Sequence, residues 1–207
     1  MCMASFDELL QDLAHPNPNI RDQACQMMAD QHPDLALPKL LELIHDPDPQ
    51  VYRTAVKGIG VVGHSALPDL LQLFDSSDSG TVRACCIKAL VQISVNFPDQ
   101  LFSSDVLNVL EKALDDSSPV VAQSSLMTLG YLAKQAGQVE QVVPLLVAVC
   151  SSQNIAHVQG AAMALAEVES PLVDDCLKAL SEDPEKDSLI REVAEASIAR
   201  RAALQSH

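Results

Sequence analysis

The chain has 207 residues, of which 48% are apolar and only 3% aromatic, and its formal charge at pH 7 is −15. That length suits one domain or one short repeat array, and a core poor in aromatics must be filled by Leu, Ala, Val and Ile, which favours packed helices over a β-sandwich. With 28 carboxylates against 13 cations, the chain lacks the clustered Lys and Arg that nucleic acid or an anionic membrane surface requires.

From the N-terminus, Met1-Cys2-Met3-Ala4-Ser5-Phe6-Asp7-Glu8 offers no basic stretch followed by an apolar run, so no secretory leader is expected. The longest apolar run, 142–150, is broken by Pro144 and falls far short of the roughly 20 residues of a membrane span, so no membrane insertion is expected. Six cysteines (2, 25, 85, 86, 150 and 176) are irregularly spaced, with no Cys-X-X-Cys. They read as reduced thiols of a cytoplasmic protein.

The sequence repeats itself. Ala36-Leu37-Pro38-Lys39-Leu40-Leu41-Glu42-Leu43 reappears as Ala66-Leu67-Pro68-Asp69-Leu70-Leu71-Gln72-Leu73 and as Val142-Val143-Pro144-Leu145-Leu146-Val147-Ala148-Val149. A second motif is a β-branched residue that opens a helix, with a small residue four positions later. Its copies start at Ile20, Val51, Val82, Val120, Val158 and Ile190, and the small residues are Ala24, Ala55, Cys86, Ser124, Ala162 and Ala194. Each unit reads as helix A, a tight turn, helix B and a short connection. The six units cover roughly 5–33, 35–63, 66–96, 103–136, 139–168 and 170–203 of a single domain, 1–207. Pro38, Pro68 and Pro144 suit the first turn of helix A, where a missing N–H costs nothing. The turns His15-Pro16-Asn17-Pro18, Asp46-Pro47-Asp48-Pro49, Asp75-Ser76-Ser77-Asp78, Asp115-Asp116-Ser117-Ser118-Pro119 and Glu182-Asp183-Pro184 stop one helix and cap the next.

Neither the ankyrin nor the tetratricopeptide signature is present, whereas Asp78-Ser79-Gly80-Thr81-Val82-Arg83 follows the HEAT style. The expected fold is all-α: an α-solenoid of about six short HEAT-like helix pairs. In such arrays the B helices line an extended concave face and the A helices a solvated convex one.

Several residues bear on chemistry. Gly58-Ile59-Gly60-Val61-Val62-Gly63 matches G-X-G-X-X-G but sits at the end of a B helix, where glycines end the helix and permit close packing instead of cradling a phosphate. Cys86 occupies the small core position; Cys85, one residue round the helix, is either packed or open to the groove. The scattered histidines 15, 32, 45, 64, 157 and 207 include no His-X-X-X-His, so no metal is expected. Arg21, Arg53, Arg83 and Arg191 stand at or near the start of B helices; they either pair with turn carboxylates or present a guanidinium fork to a ligand carboxylate. Val121 and Gln159 stand there in units four and five. Tyr52, beside Arg53, either packs or stacks on a planar ligand. The concave-face set is Tyr52, Arg53, Arg83, Cys85, Gln123, His157 and Gln159.

Val82-Arg83-Ala84-Cys85-Cys86-Ile87-Lys88-Ala89-Leu90, Tyr52-Arg53-Thr54-Ala55-Val56-Lys57-Gly58 with the glycine run behind it, and Ala89-Leu90-Val91-Gln92-Ile93-Ser94-Val95-Asn96-Phe97-Pro98-Asp99 resemble the E/F-type phycobilin lyases of cyanobacteria and red algae. The chain is most similar to their small F-type or Z-type subunits. The resemblance implies assistance in attaching a linear tetrapyrrole, a bilin, through a thioether to a phycobiliprotein cysteine. The nucleophile belongs to the acceptor, so no catalytic residue is assigned, and the bilin is a transferred ligand, not a tightly bound cofactor. Implied partners are a phycobiliprotein subunit and a larger HEAT-repeat lyase subunit. In the bilin reading Arg53 and Arg83 take propionates and Tyr52 stacks. The alternative is a non-catalytic HEAT scaffold that binds phycobilisome or other proteins in assembly or degradation.

Overall fold

The structure is a computed structural model that describes residues 4–205, the side chain of Gln205 excepted. Cys2 and His207 lie outside the described residues. Among the described residues there are twelve α-helices and no strand. They are α1 (Phe6–Asp12), α2 (Pro18–Gln31), α3 (Pro33–Leu43), α4 (Pro49–Val62), α5 (Leu67–Ser76), α6 (Gly80–Asn96), α7 (Ser104–Leu114), α8 (Pro119–Leu132), α9 (Val139–Val149), α10 (Ile155–Leu165), α11 (Pro171–Glu182) and α12 (Ser188–Gln205), with a 3-10 turn at Gly63–Ala66.

The helices fall into two compact units, Met1–Gln100 and Leu101–His207. In the first, α1 packs on α2, α3 on α4 and α5 on α6, while the B helices α2, α4 and α6 stack in succession. In the second, α7 packs on α8, α9 on α10 and α11 on α12, and α8, α10 and α12 form the corresponding stack. This is an all-α solenoid arrangement of short HEAT-like helix pairs. Its cores are aliphatic: Leu40, Ile59, Leu90 and Ile93 are fully buried in the first unit and Leu110, Leu129, Leu146 and Leu165 in the second. No described helix is long and apolar enough to cross a membrane.

The B helices start as their turns dictate. Asn17 accepts from the Asn19 N–H at 3.0 Å, Asp48 from that of Gln50 at 2.8 Å, and Pro18 and Pro49 occupy the first helical turn. Each cap satisfies an N–H that the helix itself leaves free. The fourth unit begins one residue later than the sequence suggested. Val120 is 55% exposed and Val121 0%, so Val121 is the counterpart of Ile20 and Val51, each two residues behind a proline. The small buried residue there is accordingly Ser125, not Ser124, and its hydroxyl donates to the Leu110 carbonyl at 2.5 Å.

Pro68 opens α5 as expected, but Pro38 and Pro144 lie inside α3 and α9. Those helices begin further back, at Pro33 and Val139. Each internal proline removes one backbone donor and crowds the carbonyl four residues earlier. Both prolines are exposed, so the distortion falls away from the core.

The glycine run of α4 serves packing. A Cβ on Gly60 would stand 2.3 Å from Gln92 Cβ, so α6 can approach only a bare backbone there. Gly63 ends the helix at φ 81°, in the left-handed region that favours glycine, and a Cβ there would meet the Phe97 ring at 2.6 Å. With no strand ahead of it among the described residues, the run lacks the context of a dinucleotide loop.

Arg201 is a second fixture that sequence reading did not find. It is buried, and its Nε donates to Asp174 of α11 at 2.9 Å while Nη1 donates to the carbonyls of Leu165 and Val168 at the end of α10. One side chain thus ties α10, α11 and α12 together and caps the Val168 carbonyl just beyond the end of α10.

Gly60→Val should lower the unfolding free energy by about 2 kcal/mol, since the added branches collide with the α6 backbone. Arg201→Met should cost about 1–3 kcal/mol by orphaning the Val168 carbonyl. Urea titration of each variant checks both, and an unchanged midpoint for either contradicts the packing described.

Candidate ligand face on the B helices

The B-helix arginines of the first unit, Arg21, Arg53 and Arg83, divide into two kinds, whereas Arg191 of α12 is half-buried with its Nε unpartnered among the described residues. Arg21 Nη1 donates to the His15 carbonyl at 2.6 Å and to that of Pro16 at 3.0 Å, and Arg83 Nη1 donates to the Ser77 carbonyl at 2.9 Å. Each arginine directly follows the β-branched residue and reaches back six positions to close its own A–B turn. For Arg21 the acceptors are main-chain carbonyls, where the sequence suggested turn carboxylates. Arg83, grouped in the sequence with the concave-face residues, is engaged with its turn.

Arg53 stands one residue further along its helix, a rotation of about 100°. It is exposed, and its guanidinium carbon lies 6.0 Å from the Tyr52 ring centroid, at the outer limit of a cation–π contact. Two further cations share this part of the first unit. Lys57, one turn beyond Arg53 on α4, pairs with Asp22 at 3.0 Å. Lys88 of α6 is exposed, and among the described residues no carboxylate pairs with it or with Arg53.

Cys85 is near enough to both cations for Lys88 and Arg53 to act electrostatically on its thiol. It is 2% exposed, so the open-groove alternative for Cys85 gives way to packing. Burial pushes its pKa up, and the two positive charges offset that only in part. Burial likewise raises the Cys86 and Cys25 thiols to about 12. A thiol that stays neutral at pH 7 is a poor nucleophile. The structure therefore brings Tyr52, Arg53 and Cys85 together, adds Lys88, and commits Arg83 to the turn.

Gln123, His157 and Gln159 belong to the second unit. There a Cβ on Gly130 would lie 2.9 Å from Ala164 Cβ, and one on Gly160 would lie 2.6 Å from Leu126. These contacts fix the facing rows of α8 and α10. The rows next to them, Gln123, Met127 and Tyr131 on α8 and Gln159 and Met163 on α10, turn about 100° to the open side of the stack. Gln159 is half-buried, whereas Gln123, Met127, Tyr131 and Met163 are exposed. His157 is elsewhere: it borders a depression of about 320 Å³ with Glu111, Leu114 and Asp115 of the A-helix side. A larger depression of about 870 Å³ is lined by Lys134, Glu140, Glu167 and Glu169. Its Glu167 is clamped by Lys134 and Arg200, and the Lys134 hydrogen bond, ahead of the Arg200 charge, lowers its pKa. Among the described residues no group of three His, Cys, Asp or Glu side chains could hold a metal ion.

The model of the HEAT repeats family matches residues 6–91, 37–130 and 107–199. The bilin biosynthesis protein CpeZ of Synechococcus sp. (strain WH8020) is 54% identical over 181 residues, spanning 87% of this chain and 97% of that protein. The chain belongs to the HEAT repeats family and is a relative of CpeZ. The uncharacterized phycocyanin operon protein Z of Pseudanabaena tenuis (strain PCC 7409) is 33% identical over 95% of each chain. Among solved structures, the complex of CpcE and CpcF of phycocyanin lyase from Nostoc sp. PCC7120 matches at a TM-score of 0.60 and 19% identity, covering 79% of this chain and 98% of that one. A designed armadillo repeat protein in complex with the peptide (KR)4 matches at 0.54 and 17% identity, over 96% of this chain and all of that one. Both structural likenesses concern the fold.

Within this HEAT-repeat family member, sequence reasoning missed Lys88 and the methionine row. Lys88 lay inside the quoted Val82–Leu90 motif, and its helical spacing from Cys85 was the available signal. Met127 and Met163 lay four residues beyond Gln123 and Gln159, the spacing of one helix face.

Two outcomes follow from these environments. Cys25, Cys85 and Cys86 should react with iodoacetamide at pH 8 at least about 100-fold more slowly in the folded protein than after unfolding; equal rates would contradict their burial. Glu167 has a depressed folded-state pKa, so its clamp adds stability above the unfolded carboxylate pKa and loses it as pH falls through the folded value. The stability gap between the parent and Glu167→Gln, followed by thermal unfolding from pH 7 down to pH 3, should narrow below about pH 4.5. A gap independent of pH would contradict the clamp.

Proposed function

We propose that this protein is a subunit or chaperone of a bilin lyase. It holds a linear tetrapyrrole on the B-helix face of its first unit and assists formation of the thioether between the bilin and a cysteine of a phycobiliprotein subunit. The observation that carries this reading is the 54% identity to CpeZ across nearly the whole of that protein. The site's chemistry supports it. A bilin carries two propionates, and Arg53 and Lys88 are cations on adjacent packed helices with no carboxylate partner among the described residues. The adjacent Cys85 thiol is neutral and buried, which fits a protein that leaves the nucleophile to its acceptor.

Tyr52 and Tyr131 are the only tyrosines, and the chain has no Trp, so few rings are available to enclose a tetrapyrrole. That scarcity supports a pocket completed by a larger HEAT-repeat partner. The exposed Met127, Tyr131 and Met163 favour a second role, the chaperoning of a protein client. Methionine side chains adapt to varied apolar surfaces, and an apolar contact avoids the repulsion between a chain of charge −15 and an acidic phycobiliprotein.

Co-expression with bilin-producing enzymes, phycobiliprotein subunits and a candidate lyase partner tests the proposal. The expected result is covalent colour on the acceptor that falls at least about tenfold when this chain is omitted, corresponding to about 1.4 kcal/mol or more. Arg53→Ala with Lys88→Ala should weaken bilin binding about tenfold while far-ultraviolet circular dichroism stays unchanged. Acceptor captured without bilin, with attachment unaffected by this chain, would favour the scaffold reading. No change in colour and no capture would overturn both.

A further inference from the structure

In the second unit, the depression of about 870 Å³ lies where α8 hands over to α9 and α10 to α11. None of its residues enters the bilin reading. Apolar side chains line it, from the buried Val143 and Val168 to Leu172, which is 52% exposed. Its polar lining consists mostly of acceptors. Glu140 and Glu169 are exposed, and among the described residues neither is in an ion pair. Lys134, the cation of the lining, is already paired with Glu167. Pro144 has no N–H to give the Glu140 carbonyl four residues earlier, so that carbonyl is left without its helical donor, and both residues line the depression. Pro171, at the start of α11, is a second lining position without an N–H.

We propose that this depression docks an arginine-bearing apolar segment of a protein partner. Arginine carries N–H donors and no acceptor, the complement of a lining with two free carboxylates and a carbonyl that its helix leaves open. Its guanidinium fork matches a carboxylate bidentately. A leucine or valine next to the arginine would cover Leu172 and the valines behind it and remove that apolar surface from water.

Charge selects this occupant over an anion. Both α9 and α11 start at the depression, and the positive end of a helix attracts anions. Here Glu140 stands in the first turn of α9 and Glu169 two residues ahead of α11, so each start already has a carboxylate. Lys134 is held by Glu167, which Arg200 of α12 also clamps. The chain's charge of −15 draws a basic segment in from a distance, and the apolar lining decides which basic segment stays. The docking surface adds a partner contact to the proposed bilin function and does not depend on it.

The test titrates the full-length protein into a fluorescein-labelled peptide of alternating arginine and leucine and follows anisotropy at low and at high salt. Saturable binding is expected, weaker at the higher salt. Glu140→Gln with Glu169→Gln should weaken it at least about tenfold, and Leu172→Ser at least about threefold. Asp99→Asn with Asp105→Asn, outside the depression, removes as much charge and should leave the affinity unchanged. Circular dichroism checks that each variant is folded. Hydrogen exchange should show protection by the peptide within 133–144 and 167–172. No binding, equal binding by the parent and the Glu140, Glu169 double variant, or an equal loss in the Asp99, Asp105 variant would overturn the proposal. So would equally tight binding of a peptide with glutamate in place of arginine, the result that an anion site would give.

Discussion

Close approach of successive B helices is the constraint on which the rest depends. Where α4 meets α6 there is no room for a Cβ on Gly60, and where α8 meets α10 Gly130 and Gly160 serve the same purpose. These contacts set the rotation of each B helix about its axis. That rotation decides which side chains are buried in the stack and which reach the open face. Arg53, Lys57, Gln123 and Met127 are exposed because bare or small residues hold the neighbouring rows close.

The same constraint separates structural charge from available charge. Two arginines next to the β-branched residue, Arg21 and Arg83, turn back onto their own A–B turns. An arginine one position later, Arg53, points to solvent and stays without a carboxylate partner among the described residues. The two units use their faces differently. The first presents Arg53 and Lys88, exposed cations on the packed helices α4 and α6, which suits carboxylates on a ligand. The second presents Met127, Tyr131 and Met163, which suits apolar contact with a protein.

Much of this was legible in the sequence, because repeats are self-referential: each copy corroborates the next. The helix pairs, the capped turns and the packing role of the Gly58–Gly63 run followed from spacing and residue type. What escaped had physical causes. Val120 and Val121 are both β-branched, so only burial shows which one opens the unit. Pro38 and Pro144 fit a first helical turn as well as an exposed kink, and the earlier Pro33 and Val139 starts carry no stronger signal. Arg53 and Arg83 look alike as letters, and a one-residue offset gives them different jobs. Arg201 was invisible because its acceptors, Leu165 and Val168, are main-chain carbonyls far away in sequence.

The account stands on the claim that Arg53 and Lys88 receive the carboxylates of a bilin. The most direct measurement compares binding of a free-acid bilin with that of its dimethyl ester, by absorbance titration, in the parent protein and in the Arg53→Ala, Lys88→Ala double variant. The account predicts that the parent, with any required partner subunit present, prefers the free acid about tenfold or more and that the double variant loses the preference. Equal binding of acid and ester by the parent, or a preference that survives the double substitution, would contradict it.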